Sequence, residues 1–556
     1  MHIPRRTIDA GRSPGRTKHP AVSIGASAAA SALAPDPATP AYAYKNRVVD
    51  SARRSWLICR PSLATARADH AFRVITGRPD QPPNHATQTD KDLPMHHPLN
   101  RVASDSILPA TADVVVIGGG IVGVTAVFDL ARHGVKVVLL EKGLIGAEQS
   151  SRNWGWVRQQ GRDRRELPLI IQSLAIWDEL QNGHGIDLGF RRTGLLSLTR
   201  DATELARWRR WAINGRAAGI PVQELSPHDA EAAFSSRSAR PWLGGLHTPT
   251  DAQAEPALAA PAIAEAARRA GATLHQQTAV RSLETSGGAV AGVVTEKGRI
   301  ATRAVLLAAG AWSSLFLRQH GIRLPQLNVR STVVRTTPAP ELIAGTFCSS
   351  DFCLRRRQDL GYSLTLRGDE TFDLSADAFR YFFDFLPVLK RSYADIKLGF
   401  NGLTSRSNDC HHAPSWGPDY DALANLGNDH RRSPKPGSIY EELRANDPAP
   451  DPAVVRKALA RFRRARPEVA EVGVADAWAG RIDMTPDLVP VISHVPSLGG
   501  LTVATGFSGH GFGIGPGAGR LASDLIRASG PIVDPSPFRL TRFTDGSPLF
   551  IDPDVI

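Results

Sequence analysis

The feature that most constrains this chain begins at residue 113. Asp113-Val114-Val115-Val116-Ile117 is a short β-branched run of the kind buried in a parallel sheet. Gly118-Gly119-Gly120-Ile121-Val122-Gly123 follows at once and reads G-x-G-x-x-G. A helix-like stretch then runs from Ile121 to Arg132, with Gly134 as its stop signal. A second strand, Val135 to Leu140, leads to Glu141, 18 residues after Gly123, and Lys142. This strand–turn–helix–strand–acid order predicts a dinucleotide-binding unit. Gly118 permits the tight turn, Gly120 lets backbone approach a pyrophosphate, and Gly123 lets helix lie close on strand. The helix N-terminus presents N–H groups and a positive dipole end to phosphate. Glu141 suits both ribose hydroxyls and disfavours a 2′-phosphate.

Residues 1–94 contrast with this. They are rich in Arg, Ala, Pro, Ser and Thr without sustained periodicity, and are expected to be a disordered extension. The apolar stretch after Arg5-Arg6 begins too late for an export signal. Met95 opens a short polar lead into the first strand, and translation is expected to start there. The segment carries 14 Lys and Arg against 7 Asp and Glu, so it accounts for most of the net charge of +12. The remainder is near neutral for its size, which argues against a nucleic-acid partner. The four cysteines (Cys59, Cys348, Cys353, Cys410) are too few and scattered for a disulfide scaffold or a metal site. No metal is expected, and a reducing, cytoplasmic setting is the default. No stretch approaches the roughly 20 apolar residues that span a bilayer.

Three further blocks decide which dinucleotide is expected. The first is Glu148-Gln149-Ser150-Ser151-Arg152-Asn153-Trp154-Gly155-Trp156. The second is Trp478-Ala479-Gly480-Arg481-Ile482-Asp483-Met484-Thr485-Pro486-Asp487. The third runs Gly506-Phe507-Ser508-Gly509-His510-Gly511-Phe512-Gly513-Ile514. In this order they resemble the FAD-dependent D-amino acid oxidase-like family, with its glycine and sarcosine oxidases, D-amino acid dehydrogenases and bacterial L-amino acid deaminases. The resemblance covers roughly residues 111–530. It implies an α/β fold: a Rossmann-like FAD-binding lobe into which a mixed, largely antiparallel substrate lobe is inserted. The FAD lobe is expected at 111–190, 250–330 and 470–530, and the substrate lobe at 190–250 and 330–470.

The resemblance also implies the cofactor contacts. Gly118, Gly120, Ile121, Val122, Gly123, Glu141 and Lys142 would meet the adenosine and pyrophosphate. Ser150, Ser151, Arg152, Asn153 and Gly155 would run along the pyrophosphate and ring. Val280 would serve the adenine side, and Ala309, Gly310 and Trp312 would follow the strand beginning at Val305. Gly480, Gly506, Gly509, His510, Gly511, Phe512, Gly513 and Ile514 would pack backbone N–H groups against the flavin pyrimidine. His510 is read as a cofactor-loop residue rather than a base. Gly480 occupies the position of the sarcosine oxidases' linking cysteine, and residues 150–156 lack histidine, so FAD is expected to be non-covalent. The expected chemistry is oxidation of a C–N bond in an amino acid or amine. The family also allows an FAD-bearing subunit of a heteromeric dehydrogenase with little activity alone. Oxygen, a quinone and a partner protein all remain open as electron acceptor.

A carboxylate substrate needs a cation, best a bidentate arginine. Many relatives have Leu-Arg-Pro before the Thr-Pro-Asp block, whereas this chain has Arg481-Ile482-Asp483. Arg356, Arg158 and Arg481 are the substitute anchors, each weighed against a solvated surface role. Gln160 and Tyr362 are further candidates, and Trp154 and Trp156 read equally as pocket wall or core. Phe352–Arg357 and Tyr362–Leu366 form a predicted hairpin turning at residues 358–361. Residues 402–452 read as a long surface insertion or lid. The basic helix from about Pro452 to Arg464 is a candidate for peripheral membrane contact, with a solvated face the simpler reading.

Overall fold

The computed structural model describes residues 99–235, 240–392, 397–399 and 438–555. The expectations for residues 1–94 and for most of 402–452 lie outside these residues.

The β-branched run at Val114–Ile117 is a fully buried strand at the heart of a six-stranded sheet. It pairs in parallel with Val137–Leu140 on one side and Val305–Leu307 on the other. Thr273–His275 extends one edge. Leu501–Thr505 extends the other in parallel, followed by the antiparallel strand Val491–His494. Alternation splits the apolar residues between the two faces. Val114, Val116 and Leu139 join a core with the helices Ile121–Arg132, Leu167–Asp178, Pro256–Arg269 and Gly511–Ile526. Val115, Ile117, Val138 and Leu140 face the three-stranded sheet Val280–Ala301 and the helix Ser313–Arg318. Parallel strands buried on both faces are what an uninterrupted Val/Ile/Leu run requires.

A ten-stranded, mostly antiparallel sheet forms the second large element. Its longest pairing joins Leu327–Thr336 to Val474–Met484, bringing Ser331 opposite Gly480 and Arg330 opposite Arg481. The predicted hairpin is present: Cys353–Arg356 pairs with Tyr362–Thr365, and Leu360 takes the left-handed conformation the turn needs (φ 65°). The helix Pro452–Ala465 buries Val454, Ala458 and Phe462, one stripe at helical spacing, against this sheet's core. Its basic residues lie on the other face.

The cysteine reading needs one correction. Cys348 and Cys353 form a disulfide, because the register of Thr346–Cys348 against Cys353–Arg356 sets them directly opposite each other. The tight turn at 349–352 brings them together, and cysteine count alone carries no such information. No helix among the described residues is long and apolar enough to cross a membrane.

Candidate active site

A cavity of about 360 Å³ runs from the glycine loop to a chamber under the ten-stranded sheet. At its narrow end the three glycines have separate steric reasons. Gly118 has φ +107°, and a Cβ there would stand 2.4 Å from the Ala308 carbonyl oxygen. A Cβ on Gly123 would lie 2.1 Å from the Gly118 oxygen, so the helix can approach the loop only without one. Gly120 faces the cavity, with the Ser150 hydroxyl as its only near neighbour. That hydroxyl accepts from the Ile121 N–H at 2.9 Å, at the helix N-terminus. Glu141 is gripped by two backbone donors, Gly119 N–H and Gly143 N–H, each at 2.7 Å. Burial raises its pKa, against the pull of Lys142.

Lys142 is committed to structure. Its ammonium sits 4.0 Å from the Trp312 ring centroid and donates to Glu148 and to the Leu443 and Arg444 carbonyls. Glu148 also accepts from the Trp312 indole N–H and the Asn446 N–H. Residues 438–447, the C-terminal part of the expected insertion, thus cross the nucleotide end as a strap. Arg444 pairs with Glu296, Arg281 with Glu441, and Tyr440 joins the cavity wall.

At the wide end the walls come from the second and third blocks. Gly480, Arg481, Ile482 and Asp483 line one side, and residues 507–513 another. Asp483 is buried; its carboxylate accepts from Gly506 N–H at 2.9 Å and from the Gln326 amide at 3.1 Å. Burial pushes its carboxyl up to about 6 despite these donors. His510 faces the buried Glu166 at 3.2 Å through Nδ1. Burial, with Arg162 beside it, lowers the imidazole below its usual value. Trp154 and Trp156 meet edge to face, ring centroids 5.1 Å apart, and both line the chamber with Arg158 and Arg162. Burial drives the Arg158 guanidinium down to about 9, with the Arg162 charge adding to the effect. Two desolvated cations side by side favour an anion between them and the chamber.

Of the expected contacts, Gly123, Ser151, Gly155, Gly506 and Ile514 do not line the cavity; the others do. These five act one layer back. Ile514, for example, is packed in the core, and Gly155 leaves room for Arg355, whose Nε would meet a Cβ at 2.5 Å.

Arg158 and Arg481 reach the chamber, but three substrate candidates do not. Arg356 donates to the Ala339 and Leu360 carbonyls at 2.8 and 2.6 Å and covers the Tyr362 ring. The Tyr362 hydroxyl donates to the Pro340 carbonyl and accepts from Leu342 N–H. Both residues secure the loop after Thr336. Gln160 is buried against Thr248 and Ser197. Strand alternation explains the arginine error: the neighbour, Arg355, points toward the site. It is fully buried, makes a two-pronged pair with Glu255 at 2.8 and 3.1 Å, and donates to the Trp154 carbonyl. Sequence reading also missed Arg162, Glu166, Glu370 and Asp483. A strict alternation count along Cys353–Arg356 would have flagged Arg355, and Asp483 lies within the Trp478–Asp487 block; the others carry no motif.

Buried donors without partners converge on this cavity: Arg152 Nη2, Trp156 Nε1 and Arg162 Nη1. Such atoms suit an acceptor-rich ligand with a pyrophosphate and ring carbonyls. A glycine loop at a helix N-terminus, continuous with a roofed, arginine-lined chamber, defines a dinucleotide-dependent oxidoreductase of the flavin type. The chain belongs to the DAO family of FAD dependent oxidoreductases, whose model matches residues 113–525. A glycine oxidase of Geobacillus kaustophilus is 26% identical over 438 residues, 77% of this chain and 97% of the relative. Human mitochondrial sarcosine dehydrogenase is 24% identical over 86% of this chain but 48% of its own length. The structure of L-amino acid deaminase from Proteus myxofaciens in complex with anthranilate superposes with a TM-score of 0.72 and 25% identity, over 81% of this chain and 97% of that one.

Proposed function

We propose that this protein oxidises the C–N bond of an amino acid or related amine, giving an imine that water hydrolyses to a carbonyl product, a keto acid where the substrate is an α-amino acid, with release of ammonia or an amine. The observation that carries this reading is the joining of the dinucleotide loop to a chamber walled by Arg158, Arg162, Arg481 and two tryptophans. FAD, when bound, supplies a hydride acceptor at N5. The chain's own part is positioning. Glu141 takes the ribose and the Ile121 helix N-terminus the pyrophosphate. Arg152 Nη2 and the backbone of residues 509–513 turn donors toward the ring. Arg158 and Arg481 hold a substrate carboxylate, and Trp154 and Trp156 exclude water from the reacting carbon. No side chain is assigned as general base: an amine that arrives neutral needs none. FAD is held without a covalent bond: Gly480 stands where the sarcosine oxidases carry their linking cysteine, and residues 150–156 lack histidine.

The test is an anaerobic titration of the yellow protein with pooled D- and L-amino acids and N-methyl amines. Bleaching by one pool is the expected result, and re-admitted air then separates oxidase from dehydrogenase. A flavin that no amine bleaches would replace this reading with that of an FAD-bearing subunit needing a partner. Arg158→Leu is expected to lower kcat/KM by about 100-fold, the scale of a lost charged anchor, while flavin content is unchanged.

A further inference from the structure

His510 and Glu166 stand where two packed helices begin. His510 directly precedes the helix Gly511–Ile526, and Glu166 directly precedes the helix Leu167–Asp178. The Ser173 hydroxyl and the Trp177 indole N–H both donate to the Gly513 carbonyl, at 2.8 and 3.0 Å, which ties the two helices together. Glu166 is fully buried, with Oε2 at 3.2 Å from His510 Nδ1, and its Oε1 takes no hydrogen bond among the described residues. Against the cost of burial, His510, Arg162 and Arg165 lower the Glu166 pKa, which keeps it ionised. A carboxylate only accepts, so Nδ1 carries the imidazole proton and Nε2 keeps its lone pair. His510 lines the cavity with 13% of its side chain accessible, and Nε2 has no partner among the described residues.

The surrounding charges keep that lone pair vacant. Burial, then Arg162, lower the imidazole pKa against the pull of Glu166, and Arg158 lowers it further. Arg158 is the carboxylate anchor assigned above. The nitrogen of an α-amino acid shares a carbon with its carboxylate, so an acid held at Arg158 brings its nitrogen into the same part of the chamber. Other acids on the wall are committed. Asp483 accepts from Gly506 N–H and the Gln326 amide, Glu148 pairs with Lys142, and Glu141 takes Gly119 and Gly143 N–H. Glu370 also lines the cavity and is the competing acceptor.

An amine that arrives neutral needs no base, but at neutral pH an amino acid arrives as its ammonium. We propose that His510 is a catalytic residue that takes the proton of this ammonium. One N–H bond breaks, an Nε2–H bond forms, and Glu166 steadies the imidazolium. The freed electron pair becomes the second C–N bond as hydride leaves the carbon for the flavin, and the imidazolium proton then passes to water. This rests on the amine-oxidising reading above and deepens it by naming the group that prepares the nitrogen.

The test follows reduction of the FAD-loaded full chain without oxygen by saturating pooled D- and L-amino acids. In the wild type the rate is expected to stay level between about pH 7 and 9, because the proton moves within the complex. In His510→Leu it should track the neutral amine, falling about tenfold for each pH unit, so that the deficit at pH 7 is about 100-fold and closes toward pH 9. His510→Gln, which can accept a hydrogen bond but not a proton, should show the same slope and serves if the Leu variant loses flavin. Glu370→Gln should keep the level profile. The inference is overturned if the wild type already tracks the neutral amine, if both His510 variants keep a level profile, or if Glu370→Gln is the variant that steepens it. A second measurement needs no oxidation. It compares binding of 2-aminoisobutyrate, which has no α-hydrogen, with that of pivalate, in which a methyl replaces the ammonium, each read from perturbation of the flavin spectrum. The wild type should prefer 2-aminoisobutyrate about tenfold, the scale of one hydrogen bond to a charged group, and His510→Leu should erase that preference. If no amino acid reduces the flavin, the amine-oxidising reading fails, and equal binding of the two compounds by the wild type overturns the role of His510 separately.

Discussion

Arg355 and Glu255 form the most fully enclosed ion pair next to the chamber, and they show how much a single side chain can hold. Arg355 fixes the Trp154 carbonyl and fills the space Gly155 leaves, so it sets the tryptophan wall without touching the cavity. Breaking such a pair leaves an uncompensated buried charge, at a cost of about 3–5 kcal/mol. Arg355→Met should lower stability by that amount in denaturant titration. Arg355→Met with Glu255→Met should recover much of it, since two apolar groups leave no orphan charge. Asp483 gives a pH signature. Its folded pKa, about 6, stands above the ordinary carboxylate value. Its contribution to stability is therefore fully present at pH below about 4 and is lost as pH rises through about 6. Against Asp483→Asn at equal flavin content, the wild type should lose on the order of 2–3 kcal/mol between those limits. A flat difference across that range would contradict the burial argument. The sequence disclosed neither residue's role, because each depends on which face of a strand meets the cavity. Glycines were legible for the opposite reason: the steric demand on Gly118 and Gly123 is local and leaves its mark in the motif.

Elements divide in the same way. The helix Ile121–Arg132 and the strand Val305–Leu307 fall where the sequence places them, because glycine punctuation and apolar runs fix short pieces locally. The strap at 438–447 was legible only as the end of a long surface insertion or lid, without its contacts. Its polar composition reads as surface loop, yet Lys142 donates to two of its carbonyls, Arg444 pairs with Glu296, and Tyr440 lines the cavity. The Lys142 and Glu296 contacts link residues 148 to 302 positions apart, and no local pattern encodes them. The strap covers the nucleotide end, so it should govern how readily cofactor leaves. Arg444→Ala is expected to raise the release rate of FAD by about tenfold, with less effect on its uptake, as is usual when one contact is removed. Flavin fluorescence after dilution measures this. An unchanged release rate would mean that the strap does not close over the nucleotide.

At the scale of the whole molecule, the architecture follows from one unit and its completion. The βαβ fingerprint predicted a parallel sheet with helices on it, and that sheet is present. The resemblance also anticipated the antiparallel roof, whose longest pairing joins Leu327–Thr336 to Val474–Met484. That pairing spans well over a hundred residues, so composition and periodicity alone had no access to it. The order of the six-stranded sheet carries a consequence for biogenesis. Its strands come from the start, the middle and the end of the described chain, and the wall at residues 507–513 follows the last of them. A polypeptide leaving the ribosome can form the glycine turn early, but its central strand lacks the neighbour at Val305–Leu307, and its cavity lacks a floor until the helix Gly511–Ile526 emerges. Cofactor capture is then a late event in the life of each new chain. A prematurely terminated product keeps the recognisable fingerprint yet has nowhere to seat the ring.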